Sequence, residues 1–107
     1  MLTFYLSLID TESDRRSFEM LYNSYRKQML SVARSVLSSD SEAEDIVHDV
    51  FVKVASKHMT TIKNLPKEED IRNYLLKATK NTALNYIKKR SRDSFSLNTV
   101  LEFHTGS

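Results

Sequence analysis

One proline and one glycine in 107 residues constrain this chain more than anything else in its sequence. Tight hairpins draw on glycine at positive φ and many turns on proline, so their scarcity argues against a sheet of short hairpins and for helices. The length allows one domain with a single modest core. Cysteine is absent, so folding must rest on apolar packing rather than on disulfides or thiolate zinc sites. No apolar run approaches the roughly 20 residues that cross a bilayer. The first ten residues, MLTFYLSLID, lack the basic region and cleavage site of a signal peptide. A soluble, cytoplasmic protein without membrane insertion is the expectation.

Hydrophobic spacing divides the chain into helices. Leu2, Tyr5, Leu6 and Ile9 share one face of a short element over residues 3–10, from which Phe4 and Leu8 fall away. Phe18, Leu21, Tyr22, Tyr25, Met29, Val32, Ala33 and Val36 recur at three- and four-residue steps, which predicts an amphipathic helix over residues 14–37 with Asp14 as N-cap. Tyr22 and Tyr25 read as core residues with polar tips. Ser38, Ser39 and Asp40 break the pattern, and Ser41 with Glu44 three residues on forms a capping-box sequence for the next helix. There Ala43, Ile46, Val47, Val50, Phe51 and Val54 make the core stripe. Residues 57–67 read as a connection containing Pro66. A last helix then starts near Glu68, Glu69 and Asp70 and runs to about Arg92, with a buried stripe at Ile71, Leu75, Ala78 and Thr82, Tyr86 beside it, and Leu76, Ala83 and Ile87 widening the apolar arc on one side. The expected fold is all-α: a compact bundle of three main helices plus a short N-terminal helix. Residues 1–92 form the domain and residues 93–107 a linker or tail.

Charge is distributed unevenly. Residues 1–56 carry six Lys/Arg against nine Asp/Glu, and residues 57–107 carry ten against five. Two partner surfaces of opposite sign are one reading; charge balance within a small helical protein is the other. On the second of the main helices, the arc opposite the core holds Asp45, Asp49, Val52 and Ser56, flanked by Glu42 and His48. An acidic rim around an exposed valine fits a docking surface for a basic partner. Residues 71–92 hold seven basic residues, three asparagines, two tyrosines and no acid. Lys77, Lys80, Asn81, Leu84, Asn85 and Lys88 fall together on the face away from the core. That composition suits a polyanion surface, and equally a solvated basic face.

Catalytic chemistry finds no footing. Asp45-x-x-His48 has the spacing of di-iron helical sites, but those require a second such motif and further glutamates, and neither is present. His58 and His104 have no acidic or histidine partner at ligand spacing. There is no nucleophile–base pair and no phosphate-binding glycine loop. No cofactor, no metal and no enzymatic activity are expected.

Three segments together resemble one family. Ala43-Glu44-Asp45-Ile46-Val47-His48-Asp49-Val50-Phe51-Val52-Lys53 is similar to the A-E-D-x-x-Q-E-x-F-x-K helix of bacterial sigma factors of the extracytoplasmic-function group. Tyr74-Leu75-x-x-Ala78-Thr79-x-Asn81, followed by Lys88-Lys89-Arg90, is similar to their [WY]-L-x-x-[IV]-A-x-N…R-R helix. Phe18-x-x-Leu21-Tyr22-x-x-Tyr25 resembles their opening F-x-x-L-Y-x-x-Y helix. The order and separation of the three motifs are more specific than any one of them.

The resemblance implies a region 2 domain whose acidic helix docks on the clamp helices of the RNA polymerase β′ subunit. It further implies that the last helix and the segment before it recognise and melt the promoter −10 element, holding the non-template strand. Carried over by position, Asp45, His48, Asp49 and Val52 face the polymerase, and Tyr74, Lys77, Lys80, Asn81 and Lys88 face DNA. His58, Met59, Thr60, Thr61, Ile62, Lys63 and Asn64 become the specificity loop that captures a flipped base. An anti-sigma factor is a further implied partner. The second domain, which reads the −35 element in such factors, has no counterpart in these residues. His48 and Asp49 stand in place of the family's Gln-Glu. Ala78 and Thr79 replace its branched residue and alanine, a change that touches packing more than DNA contact. The segment 57–67 has no alignable match, so its base preference does not carry over. The rival readings are a helical protein-interaction adaptor with a solvated basic face, and a double-strand DNA-binding helical regulator; the latter lacks a short helix-turn-helix signature.

Overall fold

The computed structural model describes the backbone of residues 1–105 and the side chains of residues 1–92. Three long helices form the bundle: α2 (Glu12–Val36), α3 (Asp40–Lys53) and α5 (Glu68–Thr105). Two short ones accompany them, α1 (Leu2–Ser7) and α4 (Met59–Lys63), and a π-helical turn (Val54–His58) joins α3 to α4. The described residues contain no strand, and the all-α bundle is as the spacing predicts. α2 packs against both α3 and α5, and α3 also packs on α5.

The caps differ from expectation in two places. Thr11, in extended conformation, is the N-cap of α2 and accepts the Asp14 N–H at 3.1 Å, so Asp14 lies inside the first turn. There its charge, with that of Glu12, meets the positive end of the helix dipole. Ser39 caps α3 by accepting the Glu42 N–H at 3.3 Å. The Ser41–Glu44 box therefore does not form, because the helix begins two residues earlier than its sequence signal.

The core gathers around Phe18, Met29, Phe51 and Leu75, each almost wholly buried. Tyr5, Phe18, Tyr22 and Phe51 form an aromatic cluster, with the Tyr22 and Phe51 rings 5.0 Å apart and those of Tyr5 and Phe51 5.4 Å apart. Such tilted pairs are worth about 0.5–1.5 kcal/mol beyond their buried area. The α1 face is as read from sequence: Tyr5 and Ile9 are buried, Leu2 and Leu6 pack against the core, and Phe4 and Leu8 are exposed. Arg15 Nε donates to the carbonyls of Leu6 (3.3 Å) and Ile9 (3.0 Å), tying the end of α1 to α2.

The α5 stripe is rotated from the predicted one. Leu75, Thr79 and Ala83 are the buried positions, whereas Ile71, Ala78 and Thr82 are half-buried and Tyr86 is exposed. Thr79 is tolerated inside because its hydroxyl donates to the Leu75 carbonyl at 2.8 Å. Tyr86 instead lies beneath the Arg90 guanidinium, 5.4 Å from the ring centre. α5 also continues past Arg92 to Thr105; no glycine or proline interrupts residues 93–105. The side chains of residues 93–107, His104 among them, lie outside the described residues, as does the backbone of residues 106–107.

Candidate functional site

The acidic arc of α3 is narrower than its sequence suggests. Asp45 and Asp49 are exposed. The flanking residues are engaged within the fold: Glu42 receives Arg90 Nη1 on both carboxylate oxygens, at 3.2 and 3.0 Å, and His48 Nδ1 lies 2.7 Å from the Tyr5 hydroxyl. Val52, expected to be exposed, is half-buried against the core. Its helical position points outward on a wheel, but the bundle covers part of it. The Ser56 hydroxyl donates back to the Val52 carbonyl at 2.6 Å, where the helix widens into the π turn.

The expected specificity loop is mostly helical. Val54–His58 continues α3 as a π turn, and Met59–Lys63 is α4. Met59 and Ile62 are buried, so they cannot present to a base, while Thr60, Thr61, Lys63 and Asn64 are exposed and His58 is half-buried. The physical reason lies in the spacing: Met59 and Ile62 stand three apart and give one turn an apolar face, and no breaker precedes Pro66. Only residues 64–67 are free of helix between α4 and α5.

On α5, Lys77, Lys80, Asn81 and Lys88 are all exposed. Lys77 and Lys80 form no ion pair with any described residue, in contrast to Arg90, which the Glu42 pair draws onto α3. Tyr74 is half-buried and packs against the core. Its ring borders a small cleft of about 80 Å³ that it shares with Lys53, His58, Ala78 and Thr82. The fold thus brings together His58 and Tyr74, which the sequence lists separately. It adds Lys53, which the sequence places only at the end of the α3 motif, and Thr82, which the spacing assigns to the buried stripe. With the buried positions of α5 at Leu75, Thr79 and Ala83, half-buried Thr82 falls at the edge of the core arc, where it can line the cleft. No metal-competent group of His, Asp or Glu occurs among the described residues.

Taken together, the molecule has an acidic patch on α3 and a basic, amide-bearing face on α5. The first suits a cationic protein surface. The second suits a phosphate backbone, with a cleft beside it for a side group.

A comparison with protein families matches residues 21–93 to the model described as Sigma-70 region 2. No curated protein and no solved structure matches the chain.

Proposed function

Because the chain belongs to the sigma-70 region 2 family, whose members act in promoter recognition at transcription initiation, we propose a division of labour between its two charged surfaces. The α3 patch at Asp45 and Asp49 docks on the β′ clamp helices of RNA polymerase. The α5 face at Lys77, Lys80, Asn81 and Lys88 holds the non-template strand of the −10 element. The shallow cleft at Tyr74 and His58, too small to enclose a whole base, meets the edge of an unstacked one, with Lys53 at its rim. The domain works by binding, not by catalysis.

One observation carries this reading: Lys77, Lys80 and Asn81 stand exposed on α5 with no acidic partner among the described residues, whereas Arg90 of the same helix is paired with Glu42. Cations without an acidic partner release counterions when phosphate binds, giving affinity that falls with salt. Discrimination then rests on the base, whose stacking is worth about 1–3 kcal/mol. That magnitude biases strand opening without melting a promoter unaided, so the isolated domain binds DNA weakly.

The test pairs fluorescence anisotropy on single-stranded and duplex promoter-like oligonucleotides with capture of the β′ clamp helices. The proposal expects preference for the single strand and salt-sensitive binding to both partners. A domain that ignores the clamp helices is not acting as proposed.

A further inference from the structure

The segment leading into α5 is fastened to α2 at both of its ends. Lys63, the last residue of α4, places its ammonium 2.7 Å from Asp14 Oδ1. That oxygen is shielded from water and the contact lies outside hydrogen-bond angles, so it is held as a charge pair. Glu68, the first residue of α5, accepts the Tyr25 hydroxyl at 3.1 Å. Asp14 and Tyr25 stand on the same helix, about three turns apart. Residues 64–67 are therefore bracketed by two polar links to one rigid element.

Between the links lies an open groove of about 500 Å³, walled by Met20, Leu21, Ile62, Leu65 and Ile71. The segment is thus not packed down along its whole length. Leu65 is half-buried, while Asn64, Pro66 and Lys67 are exposed. Apolar contact alone leaves such a stretch room to shift, and the polar links set where it sits. Burial and the Glu68 carboxylate both hold the Tyr25 hydroxyl in its protonated, donating form.

We infer that Asp14 and Tyr25 are positioning residues: by anchoring Lys63 and Glu68 to α2 they fix residues 64–67 and the entry to α5, and so set the selectivity of DNA engagement. The DNA half of this inference rests on the function proposed above, whereas the anchoring half does not. Neither residue touches DNA. Their loss should blur discrimination rather than remove phosphate contacts.

The experiment compares the full 107-residue chain with Asp14→Asn, Tyr25→Phe, their combination, and the charge-retaining Asp14→Glu. Hydrogen exchange reads the anchoring. Amides of residues 59–68 should exchange about tenfold faster in the double variant, those of α3 staying unchanged. Anisotropy reads the selectivity. The affinity ratio between a −10-like single strand and a scrambled one should fall about fivefold, with salt slope and clamp-helix binding unchanged. Asp14→Glu should return both readouts to within about twofold of the parent. Unchanged exchange over residues 59–68 overturns the anchoring. Faster exchange with an unchanged affinity ratio overturns the selectivity role. If the parent binds neither strand, the proposed function falls, and exchange alone decides whether the links hold.

Discussion

The Tyr5 hydroxyl lies 2.7 Å from Nδ1 of His48 and thereby ties α1 to the helix that carries the acidic patch. Phe4 stacks on the same imidazole, with ring centres 6.0 Å apart. His48 is therefore held from two sides by α1, and its role in the fold is distinct from any role in docking.

Replacing Tyr5 by Phe keeps the ring in its aromatic cluster and removes only the bond to His48. Urea unfolding should show a loss of about 1 kcal/mol. Tyr5→Ala also empties the site beside Phe18 and Phe51 and should cost about 3–5 kcal/mol. Equal losses in the two variants would mean that the ring contributes nothing beyond its hydroxyl.

Alkaline titration should reveal the same residue. Burial, then the neighbouring Tyr22, push the Tyr5 pKa from 10.0 up to about 12, against a weaker lowering by Arg26. The folded form keeps its proton where the unfolded chain has lost one, so stability is intact below pH 10 and falls as pH rises toward 12. Tyr25 is shifted in the same direction, chiefly by burial and then by Glu68. Melting temperatures between these limits should decline less steeply for Tyr5→Phe or Tyr25→Phe than for the parent.

Much of the bundle is visible in the sequence because apolar spacing reports directly on helix faces. Phe18, Leu21, Tyr25, Met29 and Ala33 are buried as their three- and four-residue steps require. Boundaries are less legible. Thr11, Asp14, Ser39 and Ser41 are all competent caps, and the choice depends on where tertiary packing fixes the helix ends. The rotated α5 stripe has a similar origin: Thr79 looks polar in sequence, yet its back-bond to Leu75 makes it a core residue. Of the candidate surfaces, exposure of Asp45, Asp49, Lys80 and Asn81 follows from the helical wheel. The engagement of Glu42 by Arg90 and of His48 by Tyr5 spans 48 and 43 residues of sequence, beyond the reach of any periodicity.

The Glu42–Arg90 pair illustrates a contact that is geometrically good and energetically modest. Its side chains are 28% and 53% exposed, so solvent screens much of their attraction. Arg90→Ala should lower stability by less than about 1 kcal/mol, and the difference should shrink in high salt. Unfolding curves at two ionic strengths check both statements.

Asp49 is exposed on α3, and its carboxylate forms no hydrogen bond or ion pair with any described residue. Asp49→Lys should therefore leave the melting temperature within a degree or two of the parent, since isolated surface changes usually fall within about 0.5 kcal/mol. Against the β′ clamp helices the reversed charge should weaken binding at least about tenfold, mostly through faster dissociation and loss of steering. Surface plasmon resonance on the clamp helices, with circular dichroism as the folding control, measures both. Unaltered binding would move the docking surface away from α3.

Lys80 and Asn81 are neighbours on the exposed face of α5, yet they should fail differently when truncated. Lys80 offers a point charge to phosphate. Its removal should reduce affinity for specific and scrambled single strands alike and lower the salt slope by about 0.7. Asn81 offers an amide donor and acceptor that can read a base edge. Its replacement by Ala should spare the salt slope and cost about 1–3 kcal/mol on the matched strand only. Both positions are exposed, so neither variant should unfold the domain. Anisotropy titrations across a salt series distinguish the two behaviours. If the two variants share one salt slope and one sequence-independent loss, Asn81 is holding the backbone and the reading of bases falls to the cleft at Tyr74 and His58.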